Sequence, residues 1–221
     1  VVLQGAQGIG AGASSVLCFD ENIAYISKIF DPAHPEPVST YCPLLWFAKS
    51  STDFTDTNGD NAILRNLRII QVATEDRNYL KPSIGVLVTA TGVSLEDFSL
   101  DSIQGDGVVI SDAAGGNGDS WHIGGKCFIN ACERYGIFVH GGDANAGGLT
   151  GQLQIVSCKA FGVRESSFLG NGWLGAMDLE SNGAKLLPTP AWLFEGSAAP
   201  SANQWTTGAG DARSTDGSVR P

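Results

Sequence analysis

Apolar positions along this chain fall into a unit that recurs. One copy reads Phe98-x-Leu100-x-x-Ile103, three spacers, then Gly107-Val108-x-Ile110. The next reads Cys127-x-Ile129-x-x-Cys132, three spacers, then Gly136-Ile137-x-Val139, and a third reads Leu153-x-Ile155-x-x-Cys158, three spacers, then Gly162-Val163-x-Glu165. An earlier copy, Leu67-x-Ile69-x-x-Val72, reaches its Gly85-Val86-x-Val88 after an insertion, and residues 171–175 echo the spacing too soon to make a full unit. Each copy is a period-2 strand, a bend and a second period-2 strand. The x-x step flips which residue faces inward, as a corner must, and the glycine before the second strand suits a bend with unusual dihedrals. The pattern predicts Val86, Val88, Val108, Ile110, Ile137 and Val139 inside, with Cys132 directly beneath Cys158.

A unit this short buries no apolar face alone, so the copies must stack. Stacked coils of about 22–30 residues with two or three short strands each resemble the right-handed parallel β-helix of the pectate-lyase-like superfamily, and in particular tail-spike-type proteins. The opening Val2-Leu3-Gln4-Gly5-Ala6-Gln7-Gly8 resembles an early rung of that family. The expected fold class is therefore all-β: a right-handed parallel β-helix over residues 1–183, incomplete at its N-terminal end, with protruding Gly-rich loops. Residues 184–221, rich in Ser, Gly, Ala and Thr, read as a partly docked tail or linker.

Composition sharpens this picture. Charged residues make up 16% and glycine contributes 29 residues, which leaves little solvated helix surface and demands many turns. Pro32, Pro35, Pro37 and Pro43 exclude a helix across that excursion. The net charge of −10 argues against nucleic acid or an anionic membrane as the main partner. No apolar run approaches the roughly 20 residues of a membrane-spanning helix. The sequence opens in strand-like residues without an initiator Met or a visible signal peptide, so it reads as a fragment or processed piece. Five cysteines without a CxxC pair read as buried thiols rather than a metal knuckle or disulfide framework.

The stacking also assigns an outer row. Leu87, Val109, Phe138 and Arg164 stand two positions after successive glycines. Three apolar side chains in a row on the outside of a solenoid mark an interface. The resemblance makes a homotrimer seam the first reading, a sugar-stacking platform at Phe138 the second, and a row covered by another strand or the tail the third.

Between the coils lie loops 111–126 and 140–152, which leave after the same strand and so project on the same side. They gather Asp112, Asn117, Asp119, Trp121, His122, His140, Asp143 and Asn145. Amides and carboxylates take hydrogen bonds from hydroxyls, and an aromatic face covers the apolar side of a sugar ring. The expected carbohydrate-binding residues are Trp121, His140, Asp143, Asn145 and Arg164. Paired carboxylates for glycosidic hydrolysis would come from Asp119, Asp143 and Glu165. Lyase chemistry would draw on Arg134 or Arg164 with His140. For any one of these residues, turn capping is the competing role.

Polygalacturonase signatures of this fold (Asn-Thr-Asp, Asp-Asp, Gly-His-Gly, Arg-x-Lys) are missing, which argues against pectin hydrolysis. No cofactor is expected. The one calcium candidate, Asp53, Asp56, Asn58 and Asp60, fails the EF-hand spacing and reads as a solvated loop. Neither a phosphate loop nor a Gly-x-Ser-x-Gly elbow is present. The leading expectation is a carbohydrate-recognising spike of a phage-like particle, extracellular or on the virion surface, that binds a polysaccharide and could cleave it. A secreted polysaccharide lyase or glycoside hydrolase and a purely structural fibre are the alternatives.

Overall fold

A computed structural model describes residues 1–5, 15–20, 42–47, 59–72, 83–111, 118–140, 147–166, 172–180, 192–194, 205–207 and 212–214. Within these the protein is all-β, its strands pair in parallel, and no helix occurs. Three ladders run through it. The first contains β1 (Val2–Gln4), β4 (Ile63–Arg65), β7 (Ser94–Glu96), β10 (His122–Gly124) and the start of β13 (Gly147–Val156). The second contains β2 (Val16–Asp20), β5 (Arg68–Val72), β8 (Ser99–Asp101), β11 (Lys126–Asn130) and the end of β13. The third contains β3 (Cys42–Phe47), β6 (Ser83–Val88), β9 (Asp106–Ser111), β12 (Tyr135–His140), β14 (Phe161–Ser166) and β16 (Trp192–Phe194). β15 (Gly172–Glu180) pairs with β13, and β17 (Trp205–Thr207) and β18 (Ala212–Ser214) pair with β15. The chain visits the ladders in turn and then advances one strand along each, an arrangement compatible with a parallel β-helix.

Register makes the core a set of columns. Leu64, Leu95 and Ile123 line the first ladder, and Ile69, Leu100, Ile129 and Ile155 the second, all at most 1% exposed. Val86, Val108, Ile137 and Val163 line the third, beside Val88, Ile110 and Val139, as the inward assignment requires. Like side chains stacked at strand spacing leave almost no apolar surface wet. Cys132 and Cys158 share one corner column. The Lys159 N–H donates to the Cys132 carbonyl at 3.0 Å, and the two thiols are hydrogen-bonded.

The glycine column has a different cause from the one its sequence position suggested. Gly85, Gly107 and Gly136 are not among the residues with positive φ. A Cβ on each would meet the carbonyl oxygen of the next glycine in the stack (Gly107, Gly136 and Gly162) at 2.6, 2.5 and 2.7 Å. Close approach of successive turns excludes a side chain there. The unusual dihedrals sit at three corners instead. Asn61, Gly92 and Ser120 precede the first ladder with φ of 54°, 71° and 54°. Asn66, Asp97 and Gly125 divide it from the second at 54°, 49° and 78°, and Ser102, Ala131 and Ser157 close the second at 58°, 55° and 59°. Asn and Asp tolerate this left-handed region and glycine enters it freely; alanine does not.

The expected outer row exists in register: Trp46, Leu87, Val109, Phe138 and Arg164 are successive partners. It is not a free surface. Leu87, Val109 and Phe138 are 0% exposed within the single chain, in a second apolar cluster with Ile84 and Tyr135. The row is therefore neither an open seam for further copies nor a sugar platform at Phe138, whose ring packs against Tyr135 at 5.3 Å. Covering three large apolar side chains stabilises the chain by several kcal/mol, about 1.5–3 each, which gives them a role without a partner.

Two substitutions test the corner and column assignments by equilibrium urea unfolding. Ala131→Gly relieves a left-handed alanine and should stabilise the protein by about 0.5–1 kcal/mol after the entropy cost of glycine is offset. Gly136→Ala should destabilise by about 1–3 kcal/mol, because its Cβ collides with the Gly162 carbonyl and the Ile155 side chain. Equal midpoints for the two variants would refute the assignments.

Candidate functional site

Loops that leave a ladder side by side stay side by side only if they also return together, and here both ends are paired. The first departs after Ser111 and the second after His140, and these residues are register partners. The first returns at Asp119 and Ser120 into β10, the second at Gly147 and Gly148 into β13. His122 pairs with Gly148, whose N–H donates to the Trp121 carbonyl at 3.0 Å. Asp112, Asn117, Asp143 and Asn145 lie outside the described residues, so the site is built from the loop roots and the strand face they adjoin.

Several expected site residues have structural employment at these roots. Trp121 is 3% exposed and packs in the main core, so its ring is not a stacking face open to a ligand. It lies one residue before β10, on the inward side with Ile123. Asp119 is half-buried. Its Oδ1 accepts the Ser120 N–H at 2.7 Å and its carbonyl accepts the Gly92 N–H at 2.9 Å, which is the turn-capping role. Arg134, considered for lyase chemistry, has its Nε 3.4 Å from the buried Asp106 carboxylate, and its guanidinium lies 4.8 Å from the centre of the Tyr135 ring. That arrangement locks a corner. His140, Arg164 and Glu165 are placed by register alone: His140 opposite Ser166, Arg164 in the row of Phe138, and Glu165 at the position of Val139 and Ile110.

The outward side of the first ladder carries a cluster that composition did not reveal. Ser94 and His122 are register partners, with Glu96 two residues along the same strand as Ser94. The Ser94 hydroxyl donates to Glu96 Oε1 at 2.7 Å and lies 3.1 Å from His122 Nδ1, while His122 Nδ1 is 3.9 Å from Glu96 Oε1. With its one proton directed to Glu96, the hydroxyl accepts from Nδ1–H, so the imidazole is oriented through serine to a carboxylate. The His122 side chain is 41% exposed and that of Glu96 35%, so both are accessible to a ligand. Signals for this cluster existed: Ser94-Leu95-Glu96 alternates around an inward Leu95, and His122 ends a loop. The three-residue strands are too short to announce themselves by period.

Beyond the corner at Gly125, the second ladder presents Asp101, whose carboxylate accepts from Arg68 at 2.7 Å, Asn130 at 3.1 Å and the Ser102 hydroxyl at 3.2 Å. Among the described residues no group of three His, Cys, Asp or Glu is arranged to hold a metal. In the acidic loop considered for calcium, Asp53, Asp56 and Asn58 lie outside the described residues. Asp60 spends its Oδ1 on the Thr91 N–H at 2.9 Å.

The thiols are not uniform. Cys127, Cys132 and Cys158 are buried, whereas Cys18 points outward from β2 and is exposed. Burial pushes the Cys127 thiol up to about 12 from its ordinary value near 9. The hydrogen bond with Cys158 and then burial hold Cys132 well above the ordinary thiol range. These thiols are core hydrophobes, not nucleophiles.

No family model, no curated protein and no solved structure matches the chain.

Three outcomes follow. Trp121→Ala should lower stability by about 3–5 kcal/mol in urea, while His122→Ala leaves it within about 0.5 kcal/mol, separating core from surface at adjacent positions. Among the four thiols assigned above, native protein at pH 8 should be modified by a disulfide reagent at Cys18 while Cys127, Cys132 and Cys158 react only in denaturant, as peptide mapping would show. Because the unfolded thiols ionise above about pH 9 and the buried Cys127 stays neutral, stability falls as pH rises from 9 toward 12.

Proposed function

We propose that this chain is the right-handed parallel β-helix of a spike-type protein on a phage-like particle, displayed outside the cell or at the virion surface, where it binds a surface polysaccharide. The observation that carries the reading is the pairing of the flanking strands at both ends of two glycine-rich loops, the returning strands standing beside the face that bears His122, Ser94 and Glu96. The ladder order supports a β-helix, and a parallel crossover takes the right hand in nearly all known cases. Rows of hydroxyl, imidazole, carboxylate and amide groups at fixed strand spacing suit a ligand that is itself a row of hydroxyls. A net charge of −10 repels polyanions at long range and favours an uncharged glycan.

Binding is favoured over cleavage. The Asp119 carboxylate is spent on a turn, and that of Glu96 is held by Ser94 and is without a described carboxylate partner for acid–base work. A homotrimer would need a face other than the row of Leu87, Val109 and Phe138.

A panel of bacterial surface polysaccharides, uncharged and anionic, tests the reading with the parent, His122→Ala and Asp143→Ala. Expected are binding of an uncharged polysaccharide by the parent, a loss of about tenfold or more in at least one variant, and no new reducing or unsaturated ends. Products released by the parent would make it a lyase or hydrolase. Failure of the parent to bind any member of the panel would leave the structural-fibre reading in its place.

A further inference from the structure

A sugar ring is held by an aromatic face beside hydrogen-bonding groups, and most described aromatic side chains serve elsewhere. Phe98, Trp121, Tyr135 and Phe138 are buried. Trp46 packs on the second cluster, and its Nε1–H donates to Thr89. Phe128 differs. In β11, Cys127 and Ile129 face the core, 4% and 0% exposed, while Phe128 alternates outward and is half-buried. It stands on a polar face, between Ser99 on one neighbouring strand and Gln154 on the other, with Asn130 two residues on and Asp101 beside Asn130.

The charge of that face is nearly balanced. The Arg68 guanidinium and the Asp101 carboxylate are paired at 2.7 Å, and a single exposed cation, Lys126, stands two residues before Phe128 on the same side of β11. The other polar groups are amides and a hydroxyl: Asn130, Gln154 and Ser99. A second copy of the chain is a poor occupant, since each copy carries a net charge of −10 and one lysine does not offset it. A polyanion meets the same objection. A pyranose fits: its C–H face covers the phenyl ring, and its hydroxyls reach amides and a carboxylate on strands about 4.8 Å apart.

We propose that Phe128 is the stacking platform of a subsite for an uncharged pyranose unit, hydrogen-bonded by Asn130, Gln154 and Asp101. The subsite rests on the polysaccharide reading above and gives it a ring-binding surface on the second ladder. β13 runs through the first and second ladders, so this face and the His122 cluster belong to one sheet.

The test compares the parent with Phe128→Leu and Phe128→Tyr by affinity electrophoresis through gels containing soluble glucan, mannan or galactan, together with the polysaccharide the panel selects. Leucine keeps apolar bulk without a π face; tyrosine keeps the face. Expected are parent-like retardation for Phe128→Tyr and a loss of about tenfold for Phe128→Leu, with urea midpoints of both variants close to the parent's. Parent-level binding by Phe128→Leu overturns the subsite and leaves the polysaccharide reading standing. Failure of the parent to bind any of these polymers overturns both. A parent that elutes as an oligomer while Phe128→Leu elutes as a monomer shows a second copy on the ring and overturns the subsite alone.

Discussion

Parallel pairing of one turn on the next sets each residue about 4.8 Å from its counterpart, and this spacing governs the rest of the structure. A residue is judged less by its own strand than by what stands above and below it. Where successive strands of the third ladder bring backbone against backbone, no Cβ fits, hence Gly85, Gly107 and Gly136, each stacked against the carbonyl of the next. Where side chains point inward, columns of Leu, Ile and Val fill the core with nearly identical shapes. Cys132 and Cys158 obey the same rule: each thiol's neighbour along the column is another small side chain of its own kind.

Corners pose the harder problem, since a turning backbone leaves the straight ladder's hydrogen bonds and buried N–H groups must still be satisfied. The chain answers with side chains that imitate carbonyls. Asp97 Oδ1 accepts the Lys126 N–H at 2.9 Å, Asp60 Oδ1 accepts that of Thr91 at 2.9 Å, and Gln71 Oε1 accepts that of Gln104 at 3.0 Å. Gly125 and Gly92 complete the device, because a Cβ on either would strike the Asp97 or Asn61 side chain of the preceding turn. Among the described residues, Asp60, Asp97 and Gln71 thus serve corner chemistry. Asp119 belongs with them, although its place in a Gly-rich loop made it resemble a catalytic acid.

Much of this was legible without coordinates, and the failures have physical reasons. Glycine-aligned copies located the second and third ladders, the inward columns and the stacked cysteines, because strands of five or six residues carry enough period-2 signal. Beyond its opening Val2–Gln4 rung the first ladder went unseen: Ser94–Glu96 and His122–Gly124 show one inward residue each, and with them the Ser94–Glu96–His122 cluster was lost. Period 2 assigned Leu87, Val109 and Phe138 correctly to the face opposite Val86 and Val108. What covers a face is a tertiary property with no period, so their burial had no local signature. Trp121 was misjudged for a related reason. Composition marks a loop, but the side on which the loop rejoins the core is decided by the next strand, and Ile123 takes Trp121 inward with it. The glycine column was recognised for its position and assigned the wrong cause, since sequence does not distinguish a φ that needs glycine from a space that does.

The proposed preference for an uncharged glycan draws on how the cations are used. Electrostatic recognition of a uronate, sialate or phosphate needs guanidinium or ammonium groups not already neutralised. Three described cations are tied to neighbouring turns, Arg68 to Asp101, Arg134 to Asp106 and Lys159 to Glu133, while Lys126 stands exposed on β11. Arg65 donates to Gln4 at 2.9 Å. Each tie crosses between turns, so these cations are spent on holding the stack, and the protein carries a surplus of carboxylate beyond them. Freeing one of these cations for an anionic ligand would strip a carboxylate of its partner, at greatest cost for the buried Asp106. A neutral sugar asks for no such exchange. It needs hydroxyl-sized hydrogen bonds and an apolar face, and a sheet that repeats its outward rows turn after turn offers both at a spacing that a repeating polymer can follow.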